Sequence, residues 1–494
     1  MKKRFFLDLE PTVTLALLGT VAVVCAQQPA TPAAPLPQPP VPPPVQVVPG
    51  TTVSAAATST EQGQTSLSDS FDWGGREWRM EKRRAALLDT QFKVNLRTFY
   101  LDRDKYDGSE SESLAIGGWA GFKTGYFMDV ISLGLTGYTS QHLHGDDAKD
   151  GALLLAAGQE GYSVLGELYA DLKITEDLNL YVGRKEFDTP FINKNDVRMT
   201  PNTFEAITLQ GKIRLGAASS GSGGGGSGKT TVGSGKSPVV DDSPAPVDDR
   251  AILKYGLGYF DTIKERNSDE FVSMAQDAGA DVDRGVFTAG GLYQNGGFSL
   301  GAIDYYSQDL INISYVEAKY AIPLSENWKP RLAAQFIDQR SVGNELLQDE
   351  EFSGQQFGLK AELPVGQALF TAGYTQTTGG TNMQNPWSGY PGYTSVQVED
   401  FNREGEGAFL FRAGYDFKLI PGFSSYALGV FGTDPDQAGQ YAKNEYDFNV
   451  QWAPPKGVLK GLSLRLRYAL VHQDSGDADD LEDFRVICNY GVNF

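Results

Sequence analysis

Five arginines fall where they could recognise an anion: Arg97, Arg412, Arg465, Arg467 and Arg485. Each sits on the polar phase of a segment in which apolar and polar residues alternate. A guanidinium offers a planar fork that matches a carboxylate, and several held in a narrow passage would focus a field and concentrate anions. The plain alternative is a polar wall whose arginines pair with Asp or Glu. Other chemistry is thinly seeded, because the chain has only three histidines. His472 beside Asp474 is the sole seed for a base-assisted hydrolase, and no catalytic residue is assigned. His142 and His144 with Asp146 and Asp147 have metal-binding side chains, yet nothing in a loop fixes their geometry. No metal and no cofactor is expected. Gly223, Gly228, Lys229 and Thr230 match a phosphate-loop spacing, but Ser237-Pro238 follows and no helix can start there to meet a phosphate.

The elements that carry the arginines alternate with period two. Phe92, Val94, Leu96, Thr98 and Tyr100 oppose Lys93, Asn95 and Arg97. Phe409, Phe411, Ala413, Tyr415 and Phe417 oppose Arg412, Asp416 and Lys418. Leu462, Leu464, Leu466, Tyr468 and Leu470 oppose Ser463, Arg465 and Arg467, and Phe484 to Phe494 oppose Arg485, Asn489 and Asn493. This periodicity predicts strands with one apolar and one polar side. Many segments run about 10–13 residues, the length a tilted strand needs to cross hydrocarbon. An open edge would leave unpaired backbone groups in lipid, so the sheet must close. The expectation is an all-β transmembrane antiparallel β-barrel of about 18 strands with long external loops. Composition agrees: 57 Gly, 23 Tyr and 27 Phe among 494 residues, with a slightly negative mean hydropathy, as a wall that hides only alternate residues in lipid requires.

Residues 1–26 read as a signal peptide: Lys2, Lys3 and Arg4, an apolar stretch from Thr12 to Val24, then Cys25-Ala26. Residues 27–90 read as a Pro/Ala-rich periplasmic tether, most biased over 27–70. The barrel is expected over 91–494, with a flexible Gly/Ser-rich insertion at 216–249. The net charge is −20. The first 26 residues carry net +1, so their removal would leave −21. Such acidity argues against a nucleic-acid partner. Only Cys488 would remain, which excludes an intrachain disulfide.

Long connections at 139–162, 187–202, 266–284 and 379–405 alternate with short turns, as barrel topology demands. Asp474, Asp477, Asp479, Asp480, Glu482 and Asp483 crowd the last outer loop without the spacing of a calcium-binding helix–loop–helix. A hydrated rim against lipopolysaccharide is expected there. Trp119, Trp328 and Trp387 are left between solute and lipid contact.

Three stretches carry a resemblance. They are Asn195-Asp196-Val197-Arg198-Met199-Thr200-Pro201-Asn202-Thr203-Phe204-Glu205, Lys264-Glu265-Arg266-Asn267-Ser268-Asp269-Glu270-Phe271 and Gly461-Leu462-Ser463-Leu464-Arg465-Leu466-Arg467-Tyr468. With the final strand, they make residues 90–494 resemble the OprD family of substrate-selective outer-membrane porins. The resemblance implies an 18-strand barrel whose third external loop folds inward, and a row of arginines guiding a substrate carboxylate. It therefore implies that Asp196 and Arg198 lie near the constriction and that the five arginines form the row. The expected function is passive, substrate-selective diffusion of small carboxylate-bearing solutes, amino acids or organic acids, across a bacterial outer membrane. The partners are the lipid bilayer, lipopolysaccharide, the solutes, and a periplasmic or peptidoglycan contact through the tether. The rival readings are a non-conducting barrel for adhesion or envelope tethering, and a barrel hydrolase.

Overall fold

The computed structural model describes residues 76–216, 250–324, 328–474 and 480–494. The proposed signal peptide, most of the tether, the phosphate-loop-like spacing and nearly all of the 216–249 insertion lie outside the described residues. The chain divides into two units, 1–85 and 86–494. Within the stretch expected to be an unstructured tether, Arg76–Leu88 form a helix, α1. That segment lacks Pro and Gly and is rich in Arg, Glu, Ala and Leu, residues that lose little freedom in a helix.

In chain order the strands are β1 (Gln91–Asp104), β2 (Glu110–Lys123), β3 (Ile131–His144), β4 (Tyr162–Thr175), β5 (Leu178–Lys185), β6 (Thr203–Leu215) and β7 (Ala251–Lys264). Next come β8 (Val272–Ser273), β9 (Val286–Asn295), β10 (Phe298–Ser307), β11 (Ile311–Ala321), β12 (Arg331–Ser341) and β13 (Ser353–Val365). The last six are β14 (Ala368–Thr377), β15 (Gly407–Phe417), β16 (Phe423–Gly432), β17 (Lys443–Trp452), β18 (Leu462–Gln473) and β19 (Leu481–Asn493). β8 is a two-residue graft onto the end of β7. Among the described residues the other eighteen form one antiparallel wall, each paired with its neighbours in sequence. β1 pairs with β19 from Lys93↔Asn493 to Asp104↔Glu482, which closes the barrel and leaves no edge. At the foot of this seam the Phe92 and Phe494 rings stack 5.6 Å apart, and their backbones exchange hydrogen bonds of 2.8 and 3.1 Å.

The predicted phases hold. Phe411, Leu359 and Phe448 stand exposed on the outer face, while Arg412, Lys360 and Asp447, one residue along, face inward. Among the described residues no helix is long and apolar enough to cross a membrane. The strands are longer at one end than expected. β3 runs on to His144, so His142 and His144 belong to a strand end and the loop expected at 139–162 shrinks to 145–161. Among the described residues no His, Cys, Asp or Glu cluster is arranged to hold a metal.

Candidate functional site: the lumen and its inward loops

The third outer connection (186–202) carries Phe187, Phe191, Ile192 and Met199, all buried. Apolar side chains at these positions cannot stay in water, and the nearest cover is the barrel interior. Phe187 packs edge-on to Phe260 at 4.9 Å, and Phe191 meets Tyr305 at 5.8 Å and Tyr390 at 6.0 Å. The fourth connection (265–285) adds the helix α2 (Met274–Asp277), whose N-terminus is closed by a reciprocal Ser273–Gln276 capping box. The seventh (378–406) adds Trp387, 1% exposed, whose indole N–H donates to Met274 O at 2.9 Å. The third and seventh connections are also stitched directly. The Asn193 N–H donates to Ser388 Oγ at 2.9 Å, and Asn193 Nδ2 donates to Gly389 O at 2.9 Å. Together these loops and the inward residues of β6 to β13 make one apolar cluster.

The arginines lie on another stretch of the wall. Arg412 is on β15 and, beyond β16 and β17, Arg465 and Arg467 are on β18, Arg485 on β19 and Arg97 on β1, the last three strands adjacent through the closing seam. Arg467 lies directly across from Arg485. Their states differ. Arg97 is buried and committed: it donates to Asp196 at 2.6 and 3.3 Å, to Arg198 O at 2.5 Å and to Asn489 Oδ1 at 2.6 Å, and lies 4.9 Å over the Trp119 ring. Arg485, also buried, grips Asp483 at 2.5 and 3.0 Å and reaches Gln397 O at 3.2 Å. Both therefore anchor inward loops. Arg465 makes one neutral contact, to Asn449 Oδ1 at 2.5 Å. Arg412 Cζ lies 3.9 Å from the Tyr426 ring centroid, and Arg467 keeps a buried Nε with no hydrogen-bond partner. Among the described residues none of these three makes a salt bridge.

Asp196 and Arg198, expected at the constriction, do sit in an inward loop, held by different means. Asp196 is the acid that Arg97 grips. Arg198 donates to Ala152 O at 2.9 Å and Val197 O at 3.0 Å. Ala152 belongs to the second outer connection (145–161), which also turns inward and packs Leu154 and Leu155 against Phe99 and Leu101 of β1.

Three contributors escaped sequence reasoning. Arg103 shares Asp483 with Arg485, at 2.7 Å. It lies on the same strand phase as Arg97, so its alternation was the available signal. Glu445 carried the same signal, on the polar phase of β17 with Asp447 and Asn449, whereas alternation gave none for Arg266. Arg266 lies in a loop without periodicity, and fully buried Glu445 accepts the backbone N–H groups of Val398 and Glu399 at 2.8 Å each. The acid-rich last loop is likewise split: Asp483 turns into the lumen, while Asp480 accepts from His472 at 2.7 Å on an exposed rim. Trp119 faces inward beside Arg97, Trp387 is core, and Trp328 is exposed.

A family model described as outer membrane porin, OprD family, matches residues 84–213 and 248–494. The barrel is also similar to solved structures. OccK9 (OpdG) of Pseudomonas aeruginosa is 22% identical, with 83% of this chain and 100% of that one covered and a TM-score of 0.69. A BenF-like porin from Pseudomonas fluorescens Pf-5 is 17% identical over 83% and 100%, with a TM-score of 0.68. OpdK of Pseudomonas aeruginosa, solved with vanillate, is 18% identical over 83% and 100%, with a TM-score of 0.64. Among curated proteins none matches.

Proposed function

Because this chain belongs to the OprD family of outer membrane porins, we propose that it passes small carboxylate-bearing solutes, such as amino acids or organic acids, down their own gradient. The observation that carries this reading is the asymmetry of the lumen. Apolar loops pack on the β6 to β13 side, and the wall beyond carries Arg412, Arg465 and Arg467, none of them in a salt bridge among the described residues. A carboxylate entering there would exchange water for guanidinium forks in a passage of low effective dielectric. No bond is made or broken in this mechanism; selectivity comes from partitioning and field-guided diffusion past the inward loops. OpdK was solved with vanillate, and a carboxylate of that kind suits the same chemistry here. Arg97, Arg485, Asp196 and Arg198 serve in this reading by shaping the opening. The outer rim facing lipopolysaccharide and the tether facing the periplasm belong to the same proposal.

The test is single-channel recording in planar bilayers. In a salt gradient with chloride and then benzoate, the Arg467→Gln variant is expected to shift the reversal potential toward cations and to weaken benzoate block. Absence of conductance in the unaltered chain would remove the channel reading, and unchanged potentials in the variant would remove the guiding row.

A further inference from the structure

The last turn of α1 has a seat at the foot of the barrel. The Gly125 N–H, in the β2–β3 turn (124–130), donates to Ala86 O at 2.9 Å, and the Thr90 hydroxyl donates to the same oxygen at 3.3 Å. Glycine is required at 125, since a Cβ there would stand 2.8 Å from Asp89 Cβ and 3.0 Å from Ala86 O. Phe92, two residues beyond Thr90 and on the lipid-facing phase, stacks with Phe494 and lies 6.0 Å from Phe122. Aromatic rings in that position mark the boundary between hydrocarbon and periplasm. The helix therefore ends at that boundary.

Past this seat, α1 is largely uncovered. From Met80 to Leu88 only Ala86 is buried and Lys82 half-buried, while Met80, Leu87 and Leu88 are 59%, 62% and 73% exposed. A helix of 13 residues is marginal in water unless one face packs against something. Met80 and Leu87, seven residues apart, share a side, and Arg83 and Arg84 flank it. Five basic and two acidic residues make the helix net positive in a chain of net −20. Among the described residues neither Arg83 nor Arg84 makes an ion pair. At about 1.5 Å per residue both lie within about 8 Å of Leu88, one screening length at physiological salt.

We infer that α1 is a membrane-surface anchor: Met80, Leu87 and Leu88 enter the periplasmic leaflet, and Arg83 and Arg84 hold its anionic phospholipid headgroups. Arginine stems can lie along the acyl boundary while the guanidinium stays among phosphates. An anionic bilayer supplies an apolar layer and negative charge together. Peptidoglycan offers carboxylates but no apolar layer for the leucines. The inference needs the barrel to sit in the outer membrane and is independent of what passes through it.

The test uses the full chain with Cys25→Ser and Cys488→Ser, and an environment-sensitive fluorophore attached through Met80→Cys. The chain is placed in lipid nanodiscs of phosphatidylcholine alone or mixed with phosphatidylglycerol. With phosphatidylglycerol the emission is expected to move to the blue and acrylamide quenching to fall about threefold, both reversed by high salt. In a phosphatidylglycerol titration, Arg83→Gln with Arg84→Gln should weaken docking roughly 30-fold, as the loss of two surface cations implies. Equal quenching in the two lipids would overturn the inference without that variant, and so would a double variant that docks as tightly as its parent. Protection that appears only on adding purified peptidoglycan would assign the helix to the cell wall and also overturn it. KCl conductance is recorded on the same chains, so a silent barrel with a docked helix and a conducting barrel with an undocked one are told apart.

Discussion

The ion pair between Arg97 and Asp196 joins the wall to the third loop across 99 residues of sequence, and its removal makes a quantitative prediction. In Asp196→Asn the shape stays and the charge goes. Side-chain exposure is 9% for Arg97 and 29% for Asp196, so the pair lies between two measured classes. Breaking a buried pair costs about 3–5 kcal/mol, whereas an exposed pair contributes about 0–1 kcal/mol. Arg97 would keep Asn489 Oδ1 and Arg198 O as acceptors, which places the loss near 2 kcal/mol. At about 1.4 kcal/mol per decade this is roughly a 30-fold shift toward states with the loop released. Single-channel records should show it as a larger-conductance substate whose occupancy rises by that order. Arg97→Met should raise the same substate, and the double variant should be far less than additive, since the second change removes an interaction already lost. Traces of Asp196→Asn that match the unaltered chain, or fully additive effects, would refute the anchoring role.

Trp387→Ala should loosen the plug, because deleting a buried Trp costs about 3–5 kcal/mol; the expected result is larger and noisier conductance, with heat-modifiable migration of the barrel preserved on gels. The fourth loop should respond to pH through Asp277, whose carboxyl is raised to about 8 by burial and then by Glu265. A carboxyl with a raised folded-state pKa contributes stability that is full below its unfolded value, near 4, and is lost as pH rises through about 8. Amide exchange in residues 265–285 should therefore quicken from pH 6 to pH 9, and Asp277→Asn should flatten that dependence; equal slopes in both chains would exclude Asp277 as the source.

Alternation along the chain was enough to give the barrel, because in a strand the side a residue faces is a local property, set by parity and by the two solvents the wall separates. That is why Arg97, Arg103, Arg412, Arg465, Arg467 and Arg485 could all be assigned to the inner face from their neighbours alone. Parity gives no information on which of them remain available. The partner of Arg97 arrives on a loop 99 residues away, and Arg485 reaches Gln397 across 88. Whether a guanidinium is committed or free depends on where such loops settle, and that is decided by the burial of Phe191, Trp387 and Met274 against β6 to β13. Loop residues have no period, so the sequence placed the arginines on the wall, and only the packing of distant segments inside the barrel decided which of them are ion-paired.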